Sequence, residues 1–271
     1  MFAISYPSLR YFAKRLKPSW LKGALITRSR EMVDSIFFRE NIQRNGDINI
    51  LTLNDPCLSG IPIVFPSEAG NISWVPIELP GYFKVSLIKS GDTVYDGGAF
   101  PGDFTVAASR KVGASGKVYA FEPNAFNRAI LKKTLELNKC SNVTIFPFAL
   151  YNKSGTERLI NEGISSKIEP DYELSRNNIA SVVETITLDD FVKNYPFPAM
   201  IKLDIEGAEL AVMQGAGETI RKCRPSWAIA SYHIDLNGRE TCEALEMRLK
   251  RNYFNVFTTY RQHLTTFAFN N

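Results

Sequence analysis

The sequence predicts an α/β fold, a mostly parallel sheet with helices on both faces, preceded by a helical and small β extension. Three observations carry this. From Thr93 onward, short β-prone runs alternate with runs of helical period, the order a parallel sheet needs. The first two of those runs each end abruptly in an acid and then in residues that turn the chain, Asp96-Gly97-Gly98 and Glu122-Pro123. At 271 residues, with 45% hydrophobic and 22% charged, the chain can fill a large core, which excludes a wholly disordered protein.

Taken in order, residues 1–46 read as helical. Leu9, Phe12, Leu16 and Trp20 recur at three- and four-residue intervals among Arg10, Lys14, Arg15 and Lys17, a basic amphipathic helix interrupted at Pro18. A second helix is expected over 29–45, with Met32, Val33, Ile36 and Phe37 on one face and Gly46 as its stop. Residues 47–89 change period. The runs 48–53, 61–65 and 74–79, punctuated by Asn54-Asp55-Pro56, Ser59-Gly60 and Gly70-Asn71, predict a small antiparallel cap. Pro62 and Pro76 confine those runs to edges or strand ends.

The main domain is expected over 90–271. Strands at 93–95, 117–121, 143–146, 199–203 and 227–232 alternate with helices at 103–111, 125–137, 188–194, 208–221 and 239–252. Ile130, Leu131, Thr134 and Leu135 mark the inner face of the second of these helices. Runs 155–160 and 181–186 break the alternation around a polar stretch, 161–178, expected to be a lid or substrate loop. Runs 254–258 and 265–270 suit a closing antiparallel hairpin.

Charge is unevenly placed. The first thirty residues carry seven basic side chains and no acid, so the net charge of +4 belongs to this arm and the rest of the chain is weakly acidic. A weakly acidic body argues against nucleic acid as a partner, and the arm could rest on anionic lipid or pack on the domain. The four cysteines lie far apart with no Cys-x-x-Cys, which argues for a reduced, cytoplasmic setting and against a zinc site.

The chemistry is expected at the strand ends. Gly97, Gly98 and Gly102 make a tight turn that lets backbone approach a ligand, and Glu122 can accept two hydrogen bonds from a ribose diol. An acid in front of the glycines is a poor match for a diphosphate. Asp96 suits instead the cationic side of S-adenosylmethionine, with the glycine backbone facing its carboxylate. Asp204 and Glu206 leave the fourth strand, and Glu209 opens the next helix, where it also favours the helix N-terminus. His233 ends the fifth strand beside Asp204 and is the candidate general base, whereas His263 lies on a late loop. Lys202, on a strand buried on both faces, should pair with a carboxylate. A divalent metal at Asp204, Glu206 and His233 would need a fourth ligand that the sequence does not identify, so no metal is assigned.

The runs Val94-Tyr95-Asp96-Gly97-Gly98-Ala99-Phe100-Pro101-Gly102, Ala120-Phe121-Glu122-Pro123-Asn124, Thr187-Leu188-Asp189-Asp190 and Lys202-Leu203-Asp204-Ile205-Glu206-Gly207-Ala208-Glu209 resemble the FkbM family of S-adenosylmethionine-dependent methyltransferases. The resemblance covers roughly the last two thirds of the chain and departs at Phe100, where the family usually has Asn. It implies a Rossmann-like class I methyltransferase with a seven-stranded sheet, S-adenosylmethionine as cofactor, and a hydroxyl on a sugar, polyketide or other small-molecule or glycan acceptor. Cofactor contacts are then expected from Asp96, Gly97, Gly98, Ala99, Gly102, Glu122, Pro123, Ala149 and Asp204, and acceptor chemistry from His233, Asp204 and Glu206. The competing readings are a nucleotide-dependent oxidoreductase on a similar sheet and a non-catalytic methyltransferase-like module at a membrane surface.

Overall fold

The computed structural model describes residues 42–53, 58, 60, 62–72, 74–85, 87–160, 167–168, 180–233, 241–259 and 264–270. The expected basic helix, most of the second helix, most of the 161–178 stretch, and His263 lie outside the described residues. Among the described residues no helix is long and apolar enough to cross a membrane.

A seven-stranded sheet forms the centre. Its strands are β4 (Thr93–Gly97), β5 (Lys117–Phe121), β6 (Val143–Phe146), β11 (Met200–Leu203), β12 (Ser226–Ala230), β13 (Asn255–Thr259) and β14 (Thr265–Phe269). They lie in the order β13-β14-β12-β11-β4-β5-β6. The five central and near-edge strands β12, β11, β4, β5 and β6 run parallel, and β14 pairs antiparallel with both β12 and β13. The chain goes outward from β4 through β5 to β6, then returns to β11 on the other side of β4. The order of connection therefore reverses between β4 and β11, the switch point beyond whose strand ends sheets of this kind form their ligand crevice.

Alternation along the buried strands sorts the core into two layers. Val94, Val118, Ala120, Met200 and Ala228 face one layer. Tyr95, Tyr119, Phe121, Ile201, Leu203, Trp227 and Ile229 face the other. Helices α2 (Asp103–Val112) and α3 (Ala125–Leu137) cover the first. α3 is capped by the Asn124 side chain, which accepts from the Phe126 and Asn127 amides, and Ile130, Leu131, Thr134 and Leu135 are buried as the periodicity predicts. Helices α4 (Leu188–Phe191), α5 (Glu209–Gln214), α6 (Gly217–Lys222) and α7 (Cys242–Leu249) cover the second.

The antiparallel cap is present, with different ends. Strands β1 (Ile42–Asn45), β2 (Ile48–Leu51) and β3 (Ile63–Pro66) form a three-stranded sheet. Residues 42–45, expected as helix, pair with β2 because Gly46 at φ 59° closes a hairpin rather than a helix. Residues 74–79, expected as a strand, fall in α1 (Val75–Tyr82): Pro76 sits in the first turn, where its missing N–H costs nothing. Leu51, Ile63, Phe65, Leu79, Tyr82 and Phe83 join the first core layer, so the cap shares its core with α2 and α3.

Two further expectations change. The predicted helix 208–221 is divided into α5 and α6 at Gly215, where an added Cβ would lie 2.6 Å from the Tyr151 carbonyl oxygen. The Asp189 carboxylate then caps α6, accepting from the Glu218 and Thr219 amides at 2.9 and 2.7 Å. The runs flanking 161–178 form part of a four-stranded sheet in the order β7-β10-β8-β9. Its strands are β7 (Ala149–Leu150), β8 (Gly155–Ile160), β9 (Lys167–Ile168) and β10 (Ala180–Ile186).

Asn138, at the end of α3, fastens the cap to the body. Its side chain accepts from Val64 N–H at 3.1 Å and donates to Val64 O at 2.6 Å and Thr134 O at 2.7 Å. Asn138→Ala orphans both Val64 groups and is expected to lower stability by about 1–3 kcal/mol in urea denaturation.

Candidate functional site

The site is built where β5, β4 and β11 stop. Register pairs Leu203 with Gly97 and Gly97 with Phe121, so Asp204, Gly98 and Glu122 leave three neighbouring strands at one level. Asp204 N–H donates to Gly97 O at 3.0 Å, and the Gly98 and Ala99 amides both donate to Phe121 O, at 3.0 and 3.3 Å.

The glycines are needed by the protein itself. A Cβ on Gly98, whose φ is 74°, would fall 1.8 Å from Asp204 O. One on Gly102, φ 108°, would meet Thr134 and Leu131 of α3 at 2.9 and 3.0 Å. The expectation that this glycine backbone faces a ligand carboxylate is corrected for Gly98 and Ala99, because their amides are already spent on Phe121.

Asp96 is corrected as well. It is 1% exposed and turns into the first core layer instead of toward a ligand. Lys202, opposite it in register, brings Nζ to 3.1 Å from Asp96 Oδ1 and donates to Gly98 O at 2.7 Å and Gly97 O at 3.3 Å. Thr105 donates to the other oxygen at 2.5 Å. The Tyr82 and Phe104 rings lie 5.5 and 5.7 Å from the ammonium. Burial raises the Asp96 pKa while Lys202 and Thr105 pull it back. Burial also works against the Lys202 charge, but Asp96, Asp204 and Asp103 outweigh it and raise the lysine pKa. Asp103, buried in the first turn of α2, is pushed up to about 7 by desolvation.

Glu122 stays at the crevice. It is 5% exposed, and its Oε1 accepts from the Asn124 amide at 3.0 Å and the Asn127 side chain at 3.5 Å. Burial raises its pKa to about 7 against those hydrogen bonds. Half-buried Pro123 follows it, and Ala149 is buried in β7 opposite Thr185, so both offer only backbone and apolar surface.

On the other side of β4, Asp204, Glu206, Glu209 and His233 come together. Asp204 accepts from Tyr82 OH at 2.8 Å and from Tyr232 OH at 3.3 Å. Burial and the Asp204 charge hold both phenols well above their ordinary pKa. The chain reverses through Glu206, φ 55°, and Gly207, φ 102°. That brings back Glu209, which is fully buried. Glu209 Oε1 accepts from the Ile205 and Gly207 amides at 3.1 and 3.4 Å and lies 2.7 Å from His233 Nδ1. His233 Nε2 is 3.6 Å from Asp204 Oδ1 and 3.5 Å from Glu206 Oε2. Burial alone would lower the imidazole pKa, but the Glu209 charge and hydrogen bond, with Asp204 and Glu206 behind, raise it to about 9. That departs from the neutral-pH general base the sequence suggested: three carboxylates surround the ring and favour its charged form. Among the described residues no cluster of His, Cys, Asp and Glu is arranged to hold a metal ion.

Tyr82, Tyr232 and the pairing role of Glu209 were missed by sequence reasoning. Glu209 and His233 each lie just past the ends of neighbouring strands, a signal that strand order alone would have supplied.

A parallel-centred sheet, a crevice at its reversal point and carboxylates on both sides of that crevice define a Rossmann-like class I methyltransferase fold. The family model described as the Methyltransferase FkbM domain matches residues 96–256. The chain belongs to the FkbM methyltransferase-domain family, which implies S-adenosylmethionine as its cofactor. The structure is similar to that of the methyltransferase FkbM from Methylobacillus flagellatus KT, at 16% identity and a TM-score of 0.51, over 97% of this chain and 58% of that one. The chain thus spans less than two thirds of that protein's length. Weaker similarity, at TM-scores of 0.46 and 0.45, extends to two other proteins. One is Aeropyrum pernix fibrillarin with bound S-adenosyl-L-methionine, at 10% identity over 84% of this chain and 97% of that one. The other is a putative rRNA-methylase from Clostridium thermocellum, at 16% over 68% and 89%. Comparison with curated proteins returns no match.

The buried ion pair gives a direct test. Lys202→Met strands Asp96 without its counter-ion and is expected to cost about 3–5 kcal/mol in chemical denaturation. Adding Asp96→Asn should recover much of that loss.

Proposed function

We propose that the chain is an S-adenosylmethionine-dependent methyltransferase acting on a hydroxyl oxygen of a sugar, polyketide or other small-molecule or glycan acceptor. The observation that carries the reading is the arrangement of carboxylates at the ends of the two parallel strands that flank β4. Glu122 sits beyond β5, and Asp204 and Glu206 beyond β11, with the glycine loop between them.

The donor set fits this cofactor better than a dinucleotide. A diphosphate needs free backbone amides at the strand-to-helix turn. Here the Gly98 and Ala99 amides are taken by Phe121, and the first turn of the following helix holds a buried acid, Asp103. Neither feature obstructs a ligand that carries a diol at one end and a net positive charge at the other. In this reading Glu122 accepts from the ribose hydroxyls. Gly97, Gly98, Ala99, Gly102, Pro123 and Ala149 shape the floor through backbone and apolar contact. Asp96 acts from beneath that floor, through Lys202, and Asp204 faces the cationic end.

When bound, S-adenosylmethionine supplies an electrophilic methyl group and leaves as a neutral thioether. The chain's own residues then hold the acceptor in line, exclude water and take the proton the hydroxyl loses, for which the Asp204 and Glu206 carboxylates are the bases on that side. Asp204, Glu206 and His233 form the acceptor side, with Tyr82 from α1 and Tyr232 from the end of β12 fixing Asp204.

Glu122 makes binding pH-dependent. A carboxyl must be ionised to accept two hydroxyl donors, and burial pushes this one up to about 7. Binding lowers that pKa and releases a proton, so affinity is expected to be full above pH 8 and to fall as pH drops through 7 toward 6. Isothermal titration with S-adenosylmethionine should show this slope, and Glu122→Gln should weaken binding about 10- to 100-fold and flatten it. An unchanged affinity and slope in the variant would remove the ribose assignment.

A further inference from the structure

The His233 environment is built asymmetrically. Nδ1 is 2.7 Å from Glu209 Oε1, an oxygen that already accepts from two backbone amides, so the proton between the two atoms belongs to Nδ1. That oxygen is itself fixed by the Ile205 and Gly207 amides, on the turn that Glu206 begins. Glu209 thus cannot swing away without undoing the turn. Nε2 is buried, makes no hydrogen bond among the described residues, and sits between Asp204 Oδ1 and Glu206 Oε2 at 3.6 and 3.5 Å. The Tyr232 ring, centroid 4.3 Å away, covers one side of the imidazole. One N–H at Nε2 would serve both carboxylates, whereas a bare lone pair there would face two negative charges at close range.

We propose that Glu209 and His233 form a buried carboxylate–imidazolium pair that positions the Asp204 and Glu206 carboxylates on the acceptor side of the site. Glu209 is a positioning residue, acting through the ring, and the ring acts through its charge. An imidazolium has no free lone pair with which to take a proton, so its work here is to hold two acids apart and aimed. The charged groups facing the ring are Asp204 and Glu206 on the turn after β11 and Glu209 at the start of α5; Tyr232 lies at the end of β12, Tyr82 of α1 reaches Asp204, and Glu78 of α1 acts on both phenols. The elevated imidazole pKa, about 9, agrees with the geometry. The inference rests on the methyltransferase reading for what the acids are aimed at, and on the contacts of the two ring nitrogens for the charge.

The chain has two histidines, so imidazole NMR on the full chain resolves this one, assigned with His263→Gln. In the wild type, His233 should remain doubly protonated from pH 6 to pH 8, and Glu209→Gln should lower its midpoint by at least about one pH unit. A neutral ring at pH 7, or a titration unmoved by Glu209→Gln, would overturn the proposal. A second readout uses charge selectivity. S-adenosylmethionine carries a sulfonium that S-adenosylhomocysteine lacks. Removing a nearby cation by His233→Gln should therefore raise the preference for S-adenosylmethionine severalfold at pH 7, and an unchanged ratio counts against an imidazolium. If neither ligand binds the wild type, the methyltransferase reading fails while the NMR titration still decides the charge of the ring.

Discussion

A lysine in the middle of a strand buried on both faces is the constraint on which this site depends. Water cannot reach Lys202, so its charge has to be met by protein groups; its neighbour on β12 is Ala228, which offers no counter-charge, and its neighbour on β4 is Asp96. Asp96 supplies the counter-charge, and the Gly97 and Gly98 carbonyls supply acceptors. The ion pair therefore pulls the glycine loop down onto the end of β11. Once the loop is there, Asp204 O occupies the space a side chain at 98 would need, so the absence of a Cβ follows from the lysine two residues earlier. The rings of Tyr82 and Phe104 close the remaining side and keep the pair dry.

That arrangement joins the N-terminal extension to the chemistry. Tyr82 belongs to α1, which precedes the main sheet in sequence, and it spends its ring on Lys202 and its hydroxyl on Asp204. The cap's apolar side chains continue the core layer beneath the loop instead of forming a core of their own. The extension, which its position in sequence suggests as a wall of a substrate pocket, thus reaches Asp204 and Lys202 through Tyr82.

The fold was legible because its signals are local: acids and glycines at the ends of β4 and β5, and alternation of buried runs with capped helices such as α3. α1 was misread because Pro76 looks like a strand-end residue, whereas a proline in the first turn suits a helix. The division at Gly215 was invisible because its cause is a contact with Tyr151, far away in sequence. Asp204, Glu206 and His233 were recognisable as residue types at strand ends. The partner of His233 was not, since Glu209 and His233 are 24 positions apart and meet only because β11 and β12 are neighbours. Asp96 was assigned by its place in a motif, but which way a strand-end side chain points depends on what lies opposite, and opposite it is Lys202.

Moving Asp96 inward changes the reason for the site's preference without reversing it. A carboxylate neutralised by a lysine repels a diphosphate weakly, so other groups have to set that preference. The spent amides of Gly98 and Ala99 remove the donors a phosphate would use, and Asp103 places an acid where a helix N-terminus would otherwise attract one. Beyond the ends of β11 and β12, the carboxylates of Asp204, Glu206 and Glu209 gather around the His233 ring, so acids predominate at that end among the described residues. Glu122 lies two strands away, about 10 Å at ordinary strand spacing, among neutral hydrogen-bond donors. A ligand that satisfies both ends must present hydroxyls to one carboxylate and positive charge to the other group of acids, and a sulfonium nucleoside has that order of groups along a single chain.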